Sequence, residues 1–409
     1  MTLENTLSSV PYTSNAVEKL FLALAKRIHS GYLTITLPDG TQVHCQGRHD
    51  GPRADLKVHS PRFYRRLLGS GDLGFAEALI QGECATSDAV ALVELAAANE
   101  AALDSLLYGR HWLRWLLRLS HRLRPNSNRG AKRNIAHHYD LGNEFYRLWL
   151  DERMNYSAGV FPEGTSDEPD QAALLPAQWA KYRRLAELAE LKPGDQVLEI
   201  GCGWGGFACW AAKEIGCHVT ALTISQAQHD FAVQEVRQAG LEDRVSIRLQ
   251  DYRDTVEQFD KIVSIEMFEA VGEAYWSAYF STLHRAMKPG GRAALQVITI
   301  HDDFFEGYRN NVDFIQRYIF PGGMLPSPRV LRQQVASVGL TYDREFSGGG
   351  DYARTLAIWR ERFDAAWPEI SQQGFDEGFR RMWQYYFDYC QAGFRMGRID
   401  LLQFSLAKN

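Results

Sequence analysis

The run Val197-Leu198-Glu199-Ile200-Gly201-Cys202-Gly203-Trp204-Gly205-Gly206 reads as a strand, a glycine-rich turn and the start of a helix. Glycines at such a turn let the backbone approach a ligand and take dihedrals that side chains forbid. Alone, the loop could bind a dinucleotide or merely make a tight turn. Two details narrow the choice. A nicotinamide site wants Asp or Glu roughly 20 residues on to hold the ribose, and the second strand ends Ala221-Leu222-Thr223, with no carboxylate. The spacing G-x-G-x-G-G also lacks the late glycine that seats a pyrophosphate, and nothing matches the nucleotide-hydrolase loop G-x-x-x-x-G-K-[ST]. A nucleoside ligand without phosphates fits better, which favours S-adenosylmethionine.

Around this loop, β-rich runs alternate with helical ones after a helical lead-in near 172–190. The order is QVLEI, 207–215, HVTAL, 226–239, RVSIRL, KIVSIE, 274–287 and RAALQVIT. That alternation predicts a parallel, doubly wound sheet and an α/β fold class. Residues 1–105 read as a smaller mixed α/β unit. It has a helix over 16–29, a hairpin of YLTITL and TQVHCQG about Pro38-Asp39-Gly40, a helix start at Ser60-Pro61 and a helix over 88–103. Between the units, Arg110, Arg114, Arg118 and Arg122 recur every four residues and so share one helix face. Leu106, Leu113, Trp115, Leu116 and Leu117 supply apolar surface on the remainder, and no acidic residue lies between Leu106 and Tyr139. Such a helix suits an anionic membrane surface, or it presents a solvated arginine face. The expected division is residues 1–124, a linker over 125–133, and a larger domain over 134–409. The stretch GFRRMWQYYFDYCQAGFR near the C-terminus also reads as helical.

The net charge of -5 and pI of about 6.2 give no reason to expect a nucleic-acid partner. Six scattered cysteines without a C-x-x-C pair suggest free thiols in a reducing cytoplasm, with neither a disulfide framework nor a metal site. The opening residues have no signal-peptide pattern, and no apolar run approaches the ~20 residues that span a bilayer. The expectation is a cytoplasmic protein whose membrane contact is peripheral.

Several longer strings resemble the cyclopropane fatty acid synthase and mycolic acid cyclopropane synthase family. They are GDLGFAEALIQGE at 71–83, HHYDLGNEFY at 137–146, VLEIGCGWGGFA at 197–208, LTISQAQ at 222–228, MFEAVG at 267–272, FIQRYIFPGGMLPS at 314–327 and GGDYARTLAIW at 349–359. The resemblance implies a class I methyltransferase fold that uses S-adenosylmethionine. It also implies an N-terminal domain that docks on unsaturated phospholipid, and a homodimer. By the same resemblance Gly201, Cys202 and Gly203 lie against the methionine part of the cofactor, and Tyr156 and Ser157 close over it. Thr223 and Gln228 reach the ribose, and Tyr252, after Asp251, stands beside the adenine. Tyr318, Phe320 and the Pro321-Gly322-Gly323 turn resemble the wall of an acyl pocket.

An alkene is a weak nucleophile, so the sulfonium methyl must be held in line with it, away from water. Transfer leaves a cation on the chain that aromatic faces can stabilise. A base then removes a proton, and its position decides between a cyclopropane and a methylene or methyl-branched chain. In ring-forming relatives the resemblance implies a bicarbonate base held by Cys, Glu, His, a backbone amide and Tyr. Glu269, Tyr352 and the backbone of Ile298 stand at three of these positions, but the Cys is Ala158 and the His is Gln296. Two readings follow: Gln296 still donates and the anion remains, held less tightly, or the base has moved, for instance to Glu269 itself, or is no longer aimed at the added methyl. The second leads to C-methylation without ring closure and is preferred, because both substitutions fall in one small site. Glu269 could instead cap the following helix, but the nearby Glu266 is available for a structural part. The competing functions are a small-molecule O- or N-methyltransferase and a non-catalytic lipid-binding protein.

Overall fold

The computed structural model describes residues 16–100, 141–162, 164 and 169–409. These fall into two compact units, one of Met1–Leu113 with Glu377–Tyr385, the other of Arg114–Asp376 with Tyr386–Asn409. Arg110, Arg114, Arg118, Arg122 and the 125–133 linker lie outside the described residues.

The first unit carries β1 (Ser30–Thr36), β2 (Gln42–Gln46), β3 (His49–Val58) and β4 (Cys84–Ala85) in the order β2-β1-β3-β4. The expected hairpin joins β1 and β2, pairing Thr36 with Gln42. Gly40 supplies φ 86° at its turn, and Asp39 accepts from the Thr41 amide at 2.9 Å. Helix Ala16–Ala25 packs Phe21 against Phe63 and Tyr64 of helix Arg62–Ile80, with ring centroids 5.5 and 5.3 Å apart. The first helix stops short of the expected residue 29, and the helix begun at Ala89 ends at Ala98. Asn99 accounts for both ends. Its buried amide accepts from the amides of His29 and Ser30 and donates to the carbonyls of Ser30 and Leu95.

The second unit is built on seven strands: β5 (Gln196–Ile200), β6 (His218–Thr223), β7 (Val245–Leu249), β8 (Phe259–Ile265), β9 (Met287–Ile300), β10 (Thr341–Ser347) and β11 (Ile399–Ala407). Their order is β10-β11-β9-β8-β5-β6-β7, with β5 to β9 parallel and β11 antiparallel to both neighbours. The strand alternation therefore reads out as expected, while the C-terminal antiparallel pair comes in addition. Successive residues of one strand feed opposite faces. Leu198, Ile262 and Leu295 join one buried cluster, Val197, Val263 and Ala294 the other. Helices such as Leu174–Ala189 and Trp276–Ala286 cover these faces. The chain winds outward in both directions from β5, so the crevice beyond the carboxyl ends of β5 and β8 is where this architecture binds ligands. The C-terminal helix is Glu377–Arg395.

Candidate active site

The glycine loop occupies that crevice. Gly201 (φ 80°) and Cys202 both donate to the Leu222 carbonyl of β6, at 3.0 and 2.9 Å. A Cβ on Gly201 would come within 2.5 Å of Met267 Cγ, so only glycine fits. Gly203, at φ 53°, has open space where its Cβ would stand. At the end of β6, Thr223 Oγ1 donates to Gln228 Oε1 at 2.9 Å, which leaves the Gln228 amide nitrogen without a partner among the described residues and able to meet a ligand hydroxyl. Asp251 is buried and grips Arg253 at 2.9 and 2.7 Å, so its carboxylate already has a cationic partner. The Tyr252 ring packs edge-on to Tyr279 at 5.4 Å, with Arg253 over its face at 5.6 Å.

Tyr156 and Ser157 pack among aromatic rings and against helix Leu174–Ala189. The Tyr156 hydroxyl bonds that of Tyr386 at 3.0 Å, and its ring lies 5.4 Å from Trp359, 5.5 Å from Tyr146 and 6.4 Å from Phe320. Ser157 is held by helix Leu174–Ala189: Lys181 Nζ donates to its hydroxyl at 2.6 Å and Gln178 donates to its carbonyl at 2.8 Å. Lys181 is fully buried. Burial lowers its pKa to about 8, against the pull of Glu266, Asp151 and Glu199, which favour the cation.

Just beyond β8 stands a pair of half-buried carboxyl groups. Glu266 adopts φ 47°, a backbone region rare for anything but glycine. Its Oε1 accepts from Gln296 Nε2 at 2.6 Å and from the Ala158 amide at 2.9 Å, and its Oε2 accepts from the Tyr352 hydroxyl at 2.7 Å. Glu269 Oε1 accepts from the Ile298 amide at 2.5 Å, its own backbone amide also favours the charged form, and its Oε2 has no partner among the described residues. Burial, then the neighbouring Glu266, raises the Glu269 pKa to about 8. Burial also raises that of Glu266, but its three donors and Lys181 oppose the shift. The structure thus brings Ala158, Gln296 and Tyr352 together as expected, but around Glu266. Glu266, set aside from sequence for a structural part, is thus the carboxyl that these donors hold. The reason is geometric: β8 ends at Ile265, and the left-handed residue that follows, bonded through its amide to the Gln296 carbonyl, places its side chain among these donors.

The acyl-wall residues are partly assembled. Phe320 lies 6.1 Å from Tyr386 and closes on Tyr156, whereas Tyr318 packs on Phe314 at 5.7 Å. Gly322 takes φ 85°, and the Gly323 amide bonds the Phe320 carbonyl. The Met324 amide bonds the Glu269 carbonyl at 2.8 Å, which ties this turn to the carboxyl pair. Lys181, Gln178, Tyr386, Trp359 and Gln403 were not singled out from sequence. Lys181 and Gln178 left a signal: they fall on the buried stripe of their helix with Ala177, Tyr182, Leu185 and Leu188, where a lysine needs a reason.

Residues 126–404 match the family model described as mycolic acid cyclopropane synthetase. The chain is 38% identical to a tuberculostearic acid methyltransferase of Mycobacterium tuberculosis, across 92% of this chain and 88% of that one. It is 37% identical to a cyclopropane-fatty-acyl-phospholipid synthase of Escherichia coli, across 86% and 87%. Among solved structures, a cyclopropane synthase from Mycobacterium tuberculosis aligns with TM-score 0.62 at 30% identity, covering 68% of this chain and 98% of that one. A mycolic acid cyclopropane synthase complexed with SAH and CTAB aligns equally well, at the same identity and coverage.

Proposed function

This chain belongs to the mycolic acid cyclopropane synthetase family, and we propose that it methylates the double bond of an unsaturated acyl chain on a membrane phospholipid, leaving an open chain instead of a ring. It is an S-adenosylmethionine-dependent C-methyltransferase acting on unsaturated lipid chains. Bound S-adenosylmethionine supplies the electrophilic methyl group. Gly201, Cys202 and Gly203 would lie against its methionine part, Thr223 and Gln228 would meet the ribose, and Tyr252 with Asp251 would flank the adenine. Tyr156 and Ser157 close over it, with Lys181 fixing the serine hydroxyl. Tyr156, Trp359, Tyr386 and Phe320 offer ring faces to the cation formed on the chain, and they exclude water.

The observation that carries the open-chain reading is the buried pair Ala158 and Gln296. Ala158 offers the site only backbone groups, and Gln296 offers an amide that titrates with nothing. The base therefore stands elsewhere than in ring-forming relatives. The 38% identical relative is named for methyl transfer, which agrees with this reading. In this reading the enzyme works from the membrane surface, with the N-terminal unit the candidate for docking; no helix among the described residues is long and apolar enough to cross a bilayer.

The test is to give purified enzyme vesicles of defined unsaturated phospholipid with methyl-labelled cofactor, then analyse the recovered chains by mass spectrometry and NMR. A gain of one CH2 with vinylidene proton signals is expected. High-field cyclopropane signals would overturn the open-chain reading.

A further inference from the structure

The donors that a bicarbonate base would need are already spent on a side chain of the protein. We propose that Glu266 is the proton acceptor of this reaction, its carboxylate filling the site made by Tyr352, Gln296 and the Ala158 amide, so that turnover needs no dissolved bicarbonate. The inference rests on the methyl-transfer reading above, though not on which product forms.

Geometry excludes a second anion at these donors. Both Glu266 oxygens are engaged, at 2.6 to 2.9 Å, by three donors from three separate segments of chain. Gln296 cannot turn away to receive another ligand, because its own Oε1 accepts from Gln403 at 2.6 Å. Its Nε2 also reaches the Ala158 carbonyl at 3.3 Å. An added oxyanion would have to displace a carboxylate already bonded there.

The backbone points the same way. Glu266 holds φ 47°, a conformation that strains a non-glycine residue and persists only where the surrounding structure enforces it. Glycine would adopt it freely, so a carboxylate kept there against that preference has a task. The neighbour settles which carboxyl does the work. Glu269 has only backbone amides, that of Ile298 and its own, and one oxygen without a partner among the described residues, an arrangement that favours its protonated form. Glu266 has three donors and faces the Lys181 cation, which favour the anion. Adjacent carboxyls in unequal surroundings divide into one acid and one base.

The step balances without a further reagent. The alkene π electrons form the new C–CH3 bond while the sulfonium keeps the electron pair of the broken S–C bond. The hydrogen on the methyl-bearing carbon shifts with its electron pair to the cationic carbon, and the tertiary cation so formed loses a proton of the new methyl group to Glu266, the C–H pair becoming the π bond of the methylene group. Protonated Glu266 then releases its proton before the next turnover. A base fixed to the backbone reaches fewer hydrogens than a small diffusible anion, which suits a single deprotonation site.

The test reads labelled methyl transfer to phospholipid vesicles, whichever product forms. Wild-type turnover is expected to be the same in CO2-stripped buffer and with added sodium bicarbonate. Glu266→Gln is expected to lose about 10²–10⁴-fold in kcat, the usual worth of a positioned base, while keeping its affinity for S-adenosylmethionine by calorimetry. Glu266→Gly suits the left-handed backbone and opens the donor set, so added bicarbonate or formate should restore part of its turnover. A wild-type rate that falls when CO2 is stripped, or a Glu266→Gln enzyme as fast as wild type, would overturn the proposal. A cyclopropane product would sink the open-chain reading and leave Glu266 standing.

Discussion

Gln296 donates to Glu266 at 2.6 Å while its own oxygen accepts from Gln403, also at 2.6 Å. Gln403 lies directly across from Gln296 in the β9–β11 pairing, and its oxygen accepts in turn from Arg184 at 3.4 Å. The orientation of the Gln296 amide is therefore set by a chain of donors running back to Arg184 on helix Leu174–Ala189. Gln296→Leu strands the Gln403 amide, while Glu266 Oε1 keeps only the Ala158 amide. The expected cost is about 1–3 kcal/mol for each unsatisfied group, seen as a lower thermal midpoint, with methyl transfer falling at least tenfold.

Glu269 should make stability depend on pH in a defined window. Burial, then Glu266, raises its pKa from 4.5 to about 8. The native state thus holds this proton more tightly than the unfolded chain does. The stabilisation is complete below pH 4.5 and is lost as pH rises through about 8. Glu269→Gln cannot ionise, so its stability relative to wild type should grow across that window. Glu266 is the charged group beside Glu269, and burial raises the pKa of Glu266 too, against Tyr352, Gln296, the Ala158 amide and Lys181. Chemical denaturation of both proteins across the range checks this, and a difference independent of pH would refute it.

Much of this was legible in the sequence because the signals were local. The glycine loop, the strand–helix alternation from β5 to β9 and the Pro38-Asp39-Gly40 hairpin each declare themselves within a few residues. The carboxyl site was only half legible. Tyr352, Gln296 and Ala158 could be named, but Glu266 meets Ala158 across 108 positions and Tyr352 across 86. No spacing rule predicts contacts of that range. What decides between Glu266 and Glu269 is a single left-handed residue after β8, and a glutamate at such a position gives no warning in its letter code. The antiparallel β10 and β11 were likewise hidden, since β11 is buried along nearly its whole length and shows no clean alternation.

The two loop glycines should separate folding from cofactor binding. At Gly201 a methyl group would strike Met267, so Gly201→Ala should both destabilise the protein and abolish binding. At Gly203 the added carbon meets nothing within 4 Å, leaving only the backbone strain of φ 53°. That strain is worth about 1–2 kcal/mol. If Gly203 lies against the cofactor, Gly203→Ala should keep most of its thermal stability yet bind S-adenosylmethionine at least tenfold more weakly by calorimetry. Unchanged affinity would remove Gly203 from the cofactor site.

Tyr352→Phe tests how the base is tuned, because it removes one donor and little else. The ring keeps its stacking on Phe394, at 4.4 Å between centroids, so packing should survive. Glu266 Oε2 loses its 2.7 Å partner, and with it a bond that favours the anion. The sign is fixed: fewer donors to the charged form raise the pKa of Glu266 further. The rising acidic limb of the kcat profile should therefore move to higher pH, toward the range where Glu269 ionises. The KM for S-adenosylmethionine should hardly change, since the phenol does not reach the glycine loop's ligand in this scheme. A purely structural tyrosine would instead lower the thermal midpoint and leave the pH profile where it was. The direction of that limb thus reports whether the proton leaving the acyl chain passes to Glu266.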